Sequence, residues 1–449
     1  MTIRRIGVVG AGTMGAGIAQ VACLGGFETV LHDPVAEALA AGDERLREGL
    51  RKGAERGRWS AEEAESAAAR LALADGEAAL AGCELVIEAA PEDLDLKREL
   101  FARLAATCGP QTILATNTSS LSVTAIAAAV ERPERVLGMH FFNPPALMRL
   151  VEVVAGDETA EQAVTVACEV ARAMGREPIR AADAIGFVAN RCYRPFSLEA
   201  LRLYEARIAE PEQIDRIVRM GGGFRMGPFE LMDLVGIDVG LDVARSFWEQ
   251  SFHEPRWQPS PIQAHMVAAG RLGRKSGRGY YDYGGGRHRP EDPDPPRPDP
   301  GWRRDPELES RVAFVALPSL AEARVVELAP GPNTSGEELA AAERYFRAAG
   351  KHVELLGRAV PGLVLGRILA QSVNEAYFAV ERGIATAGDC DTAMRLGFNW
   401  PRGPFEWAAA IGPAAIVETL DALRGELGEE RYRVAPSLRA AARIASEAS

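Results

Sequence analysis

Over the first 180 residues, short apolar runs alternate with longer stretches of helical periodicity. IGVVG from Ile6, TVLHD from Thr29, CELVIE from Cys83, TILAT from Thr112, RVLGMHFF from Arg135 and RLVEVV from Arg149 read as strands. Each is shorter than a buried helix needs. Strands alternating with helices predict an α/β chain built on a Rossmann-type doubly wound sheet, with ligands at the carboxyl ends of its strands. From Asp183 the period becomes helical, as in GFVANRCYRPFSLEALRLYEA (186–206), and strand signals stop until the last third. An all-α C-terminal domain is therefore expected after the sheet.

That helical part is duplicated. GFVANR at 186–191 recurs as GLVLGR at 362–367, an offset of 176 that also carries Glu199 to Glu375 and GPFE at 227–230 to GPFE at 403–406. An offset of 175 carries RLVE at 149–152 to RVVE at 324–327. So many identities at a nearly fixed shift mark an internal repeat. The expected domains are 1–182, nucleotide-binding; 183–284, helical; 285–305, a Pro/Asp/Arg-rich linker, extended or mobile; 306–356, a truncated remnant of a second nucleotide-type domain; and 357–449, a second helical domain. The second copy has no glycine fingerprint, Gly366 stands where the first has Asn190, and no histidine stands near the counterpart of His140. It is expected to be non-catalytic.

Composition narrows the class. A net charge of −12 argues against nucleic-acid and anionic-membrane partners. Six scattered cysteines without a C-x-x-C pair suit reduced thiols in a cytoplasm, not a disulfide framework or a zinc site, and no metal is expected. The opening MTIRRIGVVG runs straight into a strand with no signal peptide ahead of it. No apolar run approaches the roughly 20 residues that cross a bilayer.

The chemistry sits at the strand ends. Gly10-Ala11-Gly12-Thr13-Met14-Gly15 is a G-x-G-x-x-G turn between an apolar strand and a helix. Gly10 allows the sharp turn, Gly12 lets backbone approach a pyrophosphate, and Gly15 lets the helix pack close. Asp33, ending the next strand, suits the adenine ribose hydroxyls and repels a 2′-phosphate, so NAD is favoured over NADP. Asn117, Ser119 and His140 also fall at strand ends, although Ser119 and Ser120 equally suit a helix cap. His140 stands where a cleft-facing acid–base group or an ordinary buried histidine would stand. Glu152 tips the balance: a carboxylate alternating with apolar residues needs a partner, and its strand can run back beside that of His140. In return the carboxylate would fix the ring's tautomer and make it a better base. The basic stretch 44–59 reads either as a solvated helix face or as a landing place for an anionic tail, with Lys52, Arg56 and Arg58 as candidates.

Together GAGTMGAGIA, ATNTSSLS, GMHFFNPP, LVEVV, GFVANR, GPFELMDLVG and GRKSGRGYYDY make the chain resemble the 3-hydroxyacyl-CoA dehydrogenase family, over nearly its whole length. The duplicated helical domain is similar to that of longer bacterial members acting on 3-hydroxyadipyl-CoA or 3-hydroxybutyryl-CoA. The resemblance implies that His140 takes the hydroxyl proton as hydride leaves C3, that Glu152 holds His140, and that Ser119 and Asn190 steady the reacting oxygen. It implies that the glycine loop and Asp33 hold NAD, with Glu92, Lys97, Asn117 and Lys275 at or near the cofactor. The 45–58 helix would meet the phosphates of an acyl-CoA substrate. Short members form homodimers through the helical domain; here a homodimer or an intrachain pseudo-dimer is expected. Two other readings remain open: dehydrogenation of a free hydroxy acid such as L-gulonate, and a non-catalytic NAD-binding structural protein.

Overall fold

The computed structural model describes residues 2–285 and 287–447, so residue 1, residue 286 of the linker and the two C-terminal residues fall outside it. It forms two compact units, Met1–Ala189 with Gly383–Gly397, and Asn190–Arg382 with Phe398–Ser449. No helix among the described residues is long and apolar enough to cross a membrane.

The first unit is built on eight strands: β1 (Arg5–Val9), β2 (Glu28–His32), β3 (Leu71–Ala74), β4 (Leu85–Glu88), β5 (Ile113–Thr116), β6 (Val136–Phe141), β7 (Leu150–Ala155) and β8 (Glu177–Ala182). Their order is β3-β2-β1-β4-β5-β6-β7-β8. Neighbours pair in parallel except β6 and β7, which are antiparallel. Both faces are covered. Ile6, Val8, Leu85 and Ile87 join one apolar core, whereas Val9, Val86 and Leu114 join the other. Alternate residues of each strand are thus buried on opposite sides, which is why these strands read as unbroken apolar runs.

The second unit holds a three-stranded remnant, β9 (Ala313–Val315), β10 (Val325–Ala329) and β11 (His352–Leu355), in the order β11-β10-β9. β10 and β11 are parallel, with the helix Gly336–Ala348 between them in sequence, and β9 is antiparallel to β10. This reproduces the β6–β7–β8 end of the first sheet. His140 faces Glu152 across β6 and β7; Val315 faces Glu327 across β9 and β10.

The two helical copies pair by a reciprocal contact. Arg191 meets Glu375 at 2.8 Å, and Arg367 meets Glu199. Each pair is the other shifted by 176, the signature of a pseudo-twofold, isologous interface within one chain. The two helical copies thus pair within the single chain.

Packing crosses the expected domain boundaries. The second-copy helix Ala387–Gly397 packs on β7 and β8 of the first unit, where the Ala182 N–H donates to the Ile384 carbonyl at 2.8 Å. Its first-copy counterpart, Pro211–Gly222, packs on β10, and its Gln213 and Arg216 bind Glu354 of β11. Elements within 183–284, 306–356 and 357–449 therefore pack across those bounds. The linker is also not loose. It forms no regular element over 287–304, since prolines cannot donate to a ladder. Its charges nevertheless anchor it: Asp292 binds Arg219 at 2.6 Å, and His288 and Arg289 bind Glu230 at 2.9 and 2.7 Å.

Glu327 leads to a pH prediction. Its carboxyl accepts the Val364 N–H at 2.6 Å and the Leu365 N–H at 3.1 Å and is 2 % exposed. Burial pushes its pKa up to about 8, against an ordinary 4.5. A raised folded value means the proton stabilises the fold: the contribution is complete below pH 4.5 and is lost as pH rises through about 8. Relative to Glu327→Gln, which cannot ionise, the wild-type chain is expected to lose stability steadily across that window. Urea midpoints of both proteins from pH 5 to 9 check this.

Candidate active site

The glycine loop joins β1 to the Thr13–Leu24 helix. Gly10 has φ +95°, and a Cβ there would lie 2.6 Å from the Ala89 carbonyl oxygen. A Cβ on Gly15 would lie 1.7 Å from the Gly10 carbonyl oxygen. Around Gly12, by contrast, nothing lies within 4 Å of a built Cβ. That open, side-chain-free space at a helix N-terminus fits a pyrophosphate. Asp33, just past β2, accepts from the Ala11 and Val35 N–H groups at 2.8 and 2.9 Å, so this carboxylate and the loop hold each other. Arg45 adds a bond to the Ala11 carbonyl at 3.2 Å, a contact the sequence did not flag.

These geometries separate two substitutions. Gly12→Val is expected to keep the wild-type Tm but weaken NADH binding by about tenfold or more, because its side chain enters the phosphate space. Gly15→Ala is expected to lower Tm, because its methyl meets backbone that cannot yield. Thermal unfolding and NADH fluorescence titration of both variants distinguish the cases.

His140 ends β6 and Glu152 lies opposite on β7. The His140 Nδ1 is 2.6 Å from Glu152 Oε2, with 6 % and 0 % of the two residues exposed. An ionised carboxylate only accepts, so the proton of a neutral ring belongs on Nδ1 and the Nε2 lone pair stays free. The other Glu152 oxygen accepts the Val188 and Ala189 N–H groups at 3.0 and 2.9 Å. Those amides open the helix Ala189–Glu205, whose dipole favours the charge. Three donors thus compensate a fully buried carboxylate. Presenting the two amides requires Phe187 at φ +47°, a conformation repeated at Leu363, also +47°, before the amides that bind Glu327. Phe142 and Phe187 flank the imidazole at ring-centre distances of 4.6 and 5.9 Å. Gly397, from the second copy, backs Phe142: a Cβ there would lie 3.3 Å from the ring.

A second cluster shapes the turn after β5. Glu92 accepts from the Thr118 hydroxyl at 2.6 Å, the Ser119 and Ser120 N–H groups at 3.0 and 3.2 Å, and the Ser120 hydroxyl at 2.9 Å. Burial opposes its charge, but the Thr118 hydroxyl, Lys97 and the Ser119 amide outweigh it and hold its pKa below the ordinary value. The exposed Ser119 hydroxyl is 3.5 Å from the same oxygen. Lys97 is 1 % exposed; its ammonium binds Glu88 at 2.5 Å and the Ala90 carbonyl at 3.2 Å, with Glu92 3.6 Å away. It braces this turn from inside the fold. Asn117 Oδ1 accepts the Phe141 N–H at 2.9 Å, tying the end of β5 to the residue after His140.

Of the other candidates, Asn190 directly follows Ala189 and opens the second unit. Lys275 lies in that unit, paired with Asp238 at 2.6 Å. Lys52 is paired with Glu48 at 2.7 Å along the exposed face of Ala36–Glu55, and Arg56 and Arg58 lie just past that helix. The sequence did not reveal the pairing of Lys97 with Glu88, nor Phe142, Phe187 or the Val188 and Ala189 amides. The one signal for the amides was the recurrence of GFVAN as GLVLG, which marks a constrained turn.

Residues 5–184 match the 3-hydroxyacyl-CoA dehydrogenase NAD-binding domain, and 186–283 and again 362–446 match that family's C-terminal domain. The chain belongs to the 3-hydroxyacyl-CoA dehydrogenase family. It is thus an NAD-dependent oxidoreductase whose C-terminal domain occurs twice. It is 39% identical over 470 residues to 3-hydroxyadipyl-CoA dehydrogenase of Escherichia coli K12, covering 99% of each chain. A crystal structure described as 3-hydroxybutyryl-CoA dehydrogenase from E. coli K12 superposes with TM-score 0.93 at 38% identity, covering 100% of both chains. Human mitochondrial hydroxyacyl-coenzyme A dehydrogenase is 38% identical over 287 residues, 63% of this chain and 91% of that one.

Proposed function

We propose that this member oxidises an L-3-hydroxyacyl-CoA to the 3-oxoacyl-CoA, with His140 as general base, on a 3-hydroxybutyryl or 3-hydroxyadipyl chain. The observation that carries this reading is the 2.6 Å bond from Glu152 to His140 Nδ1, which leaves Nε2 free to take a proton. NAD, when bound along the glycine loop, supplies the hydride acceptor. The chain's own residues manage the proton and the charge. Nε2 takes the hydroxyl proton as C3 gives up its hydride and the carbon–oxygen double bond forms. Glu152 stabilises the imidazolium without taking the proton, its other oxygen being saturated by two amides. Ser119 and Asn190 are assigned to the reacting oxygen, whose alkoxide character a hydroxyl and an amide stabilise. Glu92, Lys97 and Asn117 set the loop and strand ends that present these groups. Lys52, Arg56 and Arg58 are the candidates for the coenzyme A phosphates, and Lys275 for the cofactor's neighbourhood. The second copy pairs with the first helical domain in place of a partner subunit. Six buried cysteines, none in a disulfide, suit a reducing compartment such as the cytoplasm.

The test follows NADH absorbance with acetoacetyl-CoA, then with free acetoacetate and with NADPH in its place. Turnover that needs both NADH and the CoA ester is expected. Turnover of free acetoacetate at the same kcat/KM would move the protein to the hydroxy-acid reading, and no turnover of any substrate would favour a structural protein.

A further inference from the structure

Among the described residues the second unit buries several arginines, four of which have a carboxylate partner. Arg191 and Arg256 share Glu375, Arg367 meets Glu199, and Arg219 meets Glu230 and Asp292. Arg194 differs. It is 5 % exposed, its Nε is buried with no hydrogen-bond partner, and, unlike the other four, it has no carboxylate acting on its charge among the described residues. Its charge lies over the Phe247 ring, 5.2 Å from the centroid, beside Tyr193, which stacks on Phe398 at 4.2 Å. Burial draws its pKa below the ordinary arginine value, and no carboxylate offsets that. A buried cation without an anion is costly, and a planar fork of donors is suited to a carboxylate.

Its place in the helix says which carboxylate. Arg194 stands one turn beyond Asn190 on the same helix, at i+4, so the two share a face roughly 6 Å apart along the axis. Asn190 is the group assigned above to the reacting oxygen, and on that reading the next turn of this face meets the substrate a few bonds from C3. The coenzyme A end of the substrate is large and polar and suits an open surface. The setting of Arg194 is closed and walled by aromatic rings, which suits the end of an acyl chain. We propose that Arg194 receives the terminal carboxylate of the acyl chain, so that the preferred substrates are ω-carboxylated 3-hydroxyacyl-CoA esters.

The test compares 3-oxoadipyl-CoA with acetoacetyl-CoA, which differ only beyond the reacting carbon. In the wild type 3-oxoadipyl-CoA is expected to have the higher kcat/KM, and the unreactive adipyl-CoA to bind at least about tenfold tighter than butyryl-CoA. Arg194→Met is expected to lower kcat/KM for 3-oxoadipyl-CoA by about 100-fold while changing that for acetoacetyl-CoA by no more than about threefold. Arg194→Lys should recover part of the preference. Equal affinity of the wild type for adipyl-CoA and butyryl-CoA would overturn the proposal without need of any variant. So would an equal loss on both esters in Arg194→Met, which would assign the residue to coenzyme A or to folding. In both cases turnover of acetoacetyl-CoA by the wild type leaves the dehydrogenase reading standing, whereas a wild type inert to both esters overturns the two together.

Discussion

Replacing His140 by alanine is expected to cut kcat for acetoacetyl-CoA reduction by about 10²–10⁴-fold while leaving NADH affinity unchanged, because the variant loses the proton-transfer group and no part of the nucleotide loop. The geometry behind this is the free Nε2 that remains when Nδ1 is held by Glu152 at 2.6 Å. The glycine loop is held by a separate set of bonds, from Asp33 and Arg45 to Ala11. Steady-state kinetics with a fluorescence titration of NADH separates the two effects. A His140→Ala protein that keeps wild-type kcat would remove the residue from the chemistry.

Glu152→Gln is expected to cost about 10³-fold or more in kcat, although it changes only one atom. The amide can keep its oxygen on the Val188 and Ala189 N–H groups, which places its NH₂ against His140 Nδ1. A donor there forces the proton onto Nε2, the wrong tautomer for a base. Stability should fall less than in Glu152→Ala, which leaves two buried amides and an imidazole unpaired at a site with 0 % exposure and is expected to cost roughly 3 kcal/mol or more. Measuring kcat and urea midpoints together checks both: the glutamine variant should be folded and nearly inactive. If it is folded and fully active, Glu152 does not act through the ring.

Much of this site was legible in the sequence because a buried polar residue demands an explanation. Glu152 within LVEVV called for a partner on an adjacent strand, and the antiparallel β6–β7 pair puts His140 directly opposite. The duplication was legible for the same reason that identities at a fixed shift are improbable, and the reciprocal pairs Arg191–Glu375 and Arg367–Glu199 are its physical form. Other features were not legible. β3 is a four-residue edge strand, LALA, whose apolar run follows directly on an alanine-rich helix and does not stand out from it, and β8 carries a proline and an exposed arginine that interrupt its apolar run. Lys97 sits on the exposed-looking start of a helix, and only the fold shows its ammonium turned inward to Glu88. The exchange of helices between the two copies depends on long-range packing, which no local pattern records: Gly397 behind Phe142 is far from it in sequence. Val315 opposite Glu327 shows the converse, a carboxylate and a positive-φ turn repeated with no histidine facing them.

One measurement tests the central claim, that His140 and Glu152 in the first copy form the only catalytic centre of this chain. In a single-turnover mixing experiment, enzyme saturated with NADH is combined with excess acetoacetyl-CoA and the fast loss of NADH absorbance is counted per chain. One NADH oxidised per chain in the fast phase, abolished in His140→Ala, is the predicted result. Two per chain, or a fast phase that survives in His140→Ala, would contradict it.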